Sequence, residues 1–96
     1  VQTCALPIFY TDDPRRLREE LGRLIRPVPA PRRVTGVIAP HAGYMYSGAI
    51  AGAVYGSIVI PRTVVILGPN HHGLGAAASL YPDGTWLSPL GEVTIE

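Results

Sequence analysis

The sequence predicts an α/β fold built on a parallel βαβ unit. Three observations carry this. Two short β-branched apolar runs, Val34–Ala39 and Thr63–Leu67, read as buried strands. Between them Ser47 to Ile58 reads as a helix. Strand, helix, strand in so short a span makes the strands parallel and the crossover right-handed. Each run also ends alike: Ala39-Pro40-His41 after the first, Gly68-Pro69-Asn70-His71-His72 after the second. Ligands of open α/β sheets bind outside the carboxyl ends of the strands, and all three histidines of the chain lie there.

Val1 to Ile8 show no periodicity and are left unassigned; Phe9-Tyr10 begins the readable part. Asp13 is a good N-cap and Pro14 suits the first helical position. Leu17, Leu21, Leu24 and Ile25 then form one helical stripe, and Glu19 with Arg23 makes a favourably oriented i,i+4 pair on the wet side. Pro27, Pro29 and Pro31 end this helix and stiffen the linker to the first strand. Ser47 is the expected cap of the second helix. Gly48, Gly52 and Gly56 share one face there, and a stripe without side chains lets a helix lie close on a sheet. Three glycines cost a helix about 2–3 kcal/mol relative to alanine, so packing must compensate. Ile50, Val54 and Ile58 form an adjacent apolar ridge. Ala76–Tyr81 reads as a third strand, Pro82-Asp83-Gly84 as a turn. Thr85-Trp86-Leu87 continues after it, Pro89 interrupts, and Glu92–Glu96 is strand-like.

A chain of 96 residues, 47% of them hydrophobic, suits one small packed domain. A net charge of +1 gives no general attraction to nucleic acid or membrane. All eight basic residues are arginine, seven of them between Arg15 and Arg33. Asp12, Asp13, Glu19 and Glu20 are interleaved with them, so this is read as a solvated helix face rather than a phosphate-binding one. The lone Cys4 cannot form an internal disulfide, which fits a reducing, cytoplasmic setting. The start lacks a signal-peptide pattern, and the run Ala49 to Ile60 is far too short to span a bilayer. Two parallel strands, a crossover helix and a hairpin leave much apolar surface uncovered. The expectation is therefore that residues 9–96 are the N-terminal portion of a larger domain.

Neighbouring strands lie about 5 Å apart, so histidines just past two strand ends can converge. Two neutral imidazoles suit a divalent transition metal, with iron or copper first and zinc as the alternative. A carboxylate partner is not evident: Asp83 is explained by its turn, and Glu92 and Glu96 sit in the strand-like tail. A third ligand is expected beyond Glu96. The bland reading of His41, a loop histidine bonded to backbone, weakens once the His71-His72 pair stands at an equivalent strand end. Adjacent loop residues often point in different directions, so one member of the pair is expected to ligate and the other to act as an acid–base group or to orient substrate. Tyr44, Tyr46 and Asn70 border this region. Gly43 to Gly48 has the spacing that opens a P-loop, but Ala49-Ile50 replaces its Lys-Ser/Thr. No G-x-S-x-G or C-x-x-C occurs.

The segments I-A-P-H-A-G-Y with the following Y-S-G, and I-L-G-P-N-H-H, resemble those of the MEMO family, called AmmeMemoRadiSam system protein B in prokaryotes. Phe9-Tyr10 and the segment from Pro14 match the family's N-terminal aromatic-Tyr and helix. The resemblance implies the N-terminal part of an α/β sandwich like that of the class III extradiol dioxygenases. By motif it implies that His41 and His71 are metal ligands, which leaves His72 as the member of the pair read above as the catalytic or second-sphere group. The family's later Asp, His and Cys are not in this chain, and Cys4 does not match that Cys. Leu6-Pro7-Ile8 departs from the family's usual Ala-Gly there, which points to a non-native start over Val1–Ile8.

The function expected from the resemblance is metal-dependent redox or dioxygenase-type chemistry in the complete chain. The alternatives are a non-catalytic protein using the same pocket for a small-molecule or peptide ligand, and a zinc-dependent hydrolase. The resemblance also implies a functional link to AMMECR-type and radical SAM proteins. Neither nucleic acid nor membrane is an expected partner.

Overall fold

The computed structural model describes residues 2–3 and 9–96. The reading of Val1–Ile8 as a non-native start therefore falls mostly outside the described residues, as does Cys4. The architecture is α/β. Its elements are β1 (Gln2–Thr3), α1 (Pro14–Leu24), α2 (Tyr44–Gly56), β2 (Gly84–Ser88) and β3 (Gly91–Ile95). The sheet order is β1-β2-β3.

Helix α1 starts where its sequence dictates. The Asp13 carboxylate accepts from the backbone N–H of Arg15 and Arg16 at 2.9 and 3.1 Å, and Pro14 follows it. The Arg16 amide is the main cause that holds the Asp13 carboxyl below its ordinary value. Leu17 is buried at 2% exposure, while Leu21, Leu24 and Ile25 are half-buried along the same stripe. The expected Glu19–Arg23 pair is replaced by Arg15–Glu19, at 4.0 Å and well exposed. One glutamate flanked by arginines a turn away on either side has two near-equivalent choices, and surface pairs are worth only about 0–1 kcal/mol.

The second helix begins earlier than the serine cap suggests. Gly43 occupies the N-cap position, and Ser47 lies buried inside the first turns. Its hydroxyl donates backwards to the Ala42 carbonyl at 2.9 Å rather than capping an amide. The glycine stripe also has a different neighbour from the expected sheet. A Cβ on Gly52 would run into the Leu24 carbonyl, one on Gly56 into that of Arg26, and one on Gly48 into Leu24 Cδ1 at 2.8 Å. The stripe thus receives the end of α1 and the linker that follows. That linker is stitched to the C-terminal end of α2: Val28 N–H donates to Gly56 O at 3.1 Å, Arg32 N–H to Ser57 O at 3.0 Å.

Neither Val34–Ala39 nor Thr63–Leu67 forms a strand, and Ala76–Tyr81 does not either. A single parallel bridge, Arg32 to Ile58, marks where the first run enters. The reason is coverage. A continuous apolar run settles into a sheet when layers lie on both faces, yet Ile38 is 96% and Leu67 92% exposed. The C-terminal hairpin forms because its turn chemistry is local. Leu90 N–H donates to the Ser88 hydroxyl at 3.2 Å, and Ser88 Oγ donates to Gly91 O at 3.0 Å. Gly84 and Gly91 take φ of 122° and 125°, a region that favours glycine. β2 and β3 pair antiparallel from Gly84↔Ile95 to Ser88↔Gly91, and β1 adds a short parallel edge against Trp86 and Leu87.

Among the described residues Leu17 is the one buried hydrophobic side chain. No helix among them is long and apolar enough to cross a membrane. Burial this small does not offset chain entropy, which costs about 1–2 kcal/mol per ordered residue. The isolated 96-residue chain is thus expected to unfold without a sharp thermal transition and to bind a hydrophobic dye at room temperature. A cooperative calorimetric transition of the monomer would overturn this.

Candidate functional site

Two loops build the site. The first, Pro40 to Gly43, leads into α2 and is held there by local bonds. Gly43 O accepts from the N–H of Tyr46 at 2.9 Å and of Ser47 at 3.1 Å, and Ser47 Oγ ties Ala42. His41 stands in this loop, its ring exposed. The second loop, Asn70 to Leu74, follows the run Thr63–Leu67 and carries His71 and His72, also exposed. Gly73 turns the chain at φ +64°.

The structure brings His41 and His71 together. Their Nε2 atoms are 3.3 Å apart, with ring centroids 5.3 Å apart and planes tilted by 48°. Two imidazole lone pairs this close repel unless a proton or a cation lies between them. In one tautomer a ring N–H donates to the other ring. The separation also suits a shared ion, because two nitrogens about 2.0–2.1 Å from a tetrahedral metal sit about 3.3–3.4 Å apart. His72 is placed by its backbone, whose N–H donates to Asn70 Oδ1 at 3.3 Å. Among the described residues no third His, Cys, Asp or Glu joins these rings.

Beside His41 lies a cavity of about 380 Å³ between α1, α2 and the Phe9-Tyr10 segment. Tyr10, Leu21, Leu24, Tyr44 and Tyr55 line it with His41. The Phe9 carbonyl accepts from Tyr44 N–H at 2.9 Å, and the Tyr10 and Tyr44 rings stack at 5.3 Å with 29° between planes. Burial, and then the nearby Glu20 and Tyr55, raises the Tyr44 phenol above its ordinary value, so it stays a neutral hydroxyl. Residue spacing did not reveal the Tyr10–Tyr44 stack; the paired aromatics just ahead of the α1 cap are its visible trace in the sequence.

The Memo-like protein family model matches residues 6–96. A MEMO1 family protein of Methanothermobacter thermautotrophicus is 48% identical over 100 residues, covering 92% of this chain and 36% of the relative. One from Methanopyrus kandleri is 43% identical over 101 residues, again covering 92% of this chain and 36% of the relative. One from Aeropyrum pernix is 58% identical over 62 residues, covering 62% of this chain and 22% of the relative. The chain thus spans about a third of the length of the first of these relatives. No solved structure gives a significant match to the chain. The two histidine loops and the α1–α2 pair lie within the matched residues, and the chain belongs to the Memo-like protein family.

Proposed function

We propose that this chain supplies the first two ligands, His41 and His71, of a divalent transition-metal centre in a metal-dependent redox or dioxygenase-type protein. The 3.3 Å approach of the two Nε2 atoms carries this reading. Iron or copper suits the role first and zinc second. The remaining ligands come from the part of the relatives' length that this chain does not span, on a sandwich of the class III extradiol dioxygenase type. When bound, the metal supplies Lewis-acid or redox chemistry. The residues of this chain hold it in neutral imidazole and place a cavity beside it. His72, the residue after His71 in the chain, serves as the acid–base group at the same loop. The setting is cytoplasmic, and the functional link is to AMMECR-type and radical SAM proteins.

The aromatic cavity beside His41 favours one second reading, a non-catalytic protein that keeps the pocket for a small-molecule or peptide ligand. Metal content separates the two. The full-length protein, purified without chelator and measured by mass spectrometry, is expected to hold about one divalent ion per chain and to consume oxygen with a suitable reductant. Failure to take up iron, copper or zinc would sink the first reading.

A further inference from the structure

Asn70 sits one residue before the histidine pair, and its side-chain amide is spent on the backbone of its own loop. Oδ1 accepts from Gly73 N–H at 2.9 Å and from His72 N–H at 3.3 Å. Nδ2 donates to the Leu74 carbonyl at 2.7 Å. Three hydrogen bonds from one side chain therefore close the loop from residue 70 to residue 74, around the turn made by Gly73 at φ +64°. The backbone that carries His71 is held between Pro69, whose ring fixes φ, and this clasp. The loop is otherwise exposed from end to end, with no core packing to set its shape. Yet His71 reaches a partner thirty residues away with its Nε2 at 3.3 Å from that of His41.

We propose that Asn70 is the positioning residue of the histidine site: its amide sets the loop conformation in which His71, rather than His72, faces His41. The inference rests on the metal-site reading above and goes beyond it, since Asn70 touches neither imidazole. The residue type follows from the geometry. Aspartate keeps the acceptor but loses the donor to Leu74. Glutamine carries both groups one methylene too far out. Leucine keeps the bulk and loses all three bonds. All three bonds are local to residues 70–74 and tie no other element, so losing the clasp loosens the site more than it destabilises the fold.

The test uses the full-length protein in metal-free form, with Co²⁺ as the probe. Dissociation constants and ligand-field spectra are compared for the wild type, Asn70→Leu, Asn70→Gln and His41→Ala. Both Asn70 variants are expected to bind Co²⁺ about 10-fold or more weakly, the lower end of the loss seen when a group outside the ligand set that orients it is removed. Their visible bands should shift, while the melting temperature stays near that of the wild type. Faster amide exchange at His72 and Gly73 in the metal-free variants would locate the cause in the clasp. Wild-type affinity and spectrum in either folded Asn70 variant would overturn the positioning role while leaving the histidine site intact. Co²⁺ binding that survives His41→Ala would overturn the site reading itself, and the role of Asn70 with it.

Discussion

His41→Ala and His71→Ala are each expected to lower divalent-metal affinity of the full-length protein by more than about 100-fold, because even an outer partner of a ligand is worth 10–100-fold. Each change removes one of the two nitrogens that meet at 3.3 Å, and the two or three ligands that remain in the full-length protein rarely suffice for tight binding. His72→Ala should leave occupancy near that of the wild type and depress turnover. Affinity should also fall as pH is lowered. A metal binds the unprotonated imidazole, so protons compete at both rings and occupancy is lost towards acid. Mass spectrometry on the three variants, each checked for fold, reads the first effect; Co²⁺ titrations over a pH series read the second. Full occupancy in both His41→Ala and His71→Ala would remove the site. Loss confined to His72→Ala would mean that the other member of the pair is the ligand.

Gly52→Ala and Gly22→Ala are expected to move stability in opposite directions. Alanine is better than glycine in a helix interior by about 0.8–1.0 kcal/mol. At Gly22, on α1, a new Cβ meets nothing within 4 Å, so the intrinsic gain should appear as a higher denaturant midpoint. At Gly52 the same Cβ would collide with the Leu24 carbonyl, a backbone group with no rotamer to swing away. Overpacking of this kind costs about 1–3 kcal/mol, and more where backbone must move. The contact also lies where α1 hands over to the Pro-rich linker, so separation there spreads to the cavity beside His41. Denaturant midpoints of the two full-length variants check this. Shifts of the same sign would show that the glycine stripe does not set the α1–α2 approach.

What could be read directly from the residues is local. Asp13-Pro14 and the Leu17 stripe specify α1 within a few positions, because a cap and a 3.6-residue period need no distant partner. Thr85-Trp86-Leu87 and Glu92–Glu96 were legible as extended segments, but the turn that joins them lies at Ser88 to Gly91, where Pro89 read only as an interruption, and not at Pro82-Asp83-Gly84. The two Pro-His loops were visible as motifs, and their family followed from them. The tertiary structure decided what depends on neighbours. Val34–Ala39 and Thr63–Leu67 have the composition of strands but stay unpaired, since pairing of an apolar run waits on layers to cover it. The glycine stripe announced a close approach, yet only packing chose the end of α1 over a sheet. Spacing likewise could not say which of two adjacent histidines would meet His41. That choice fell to His71 through the conformation of a five-residue loop closed by Asn70, a set of hydrogen bonds that exists only once the chain has turned at Gly73.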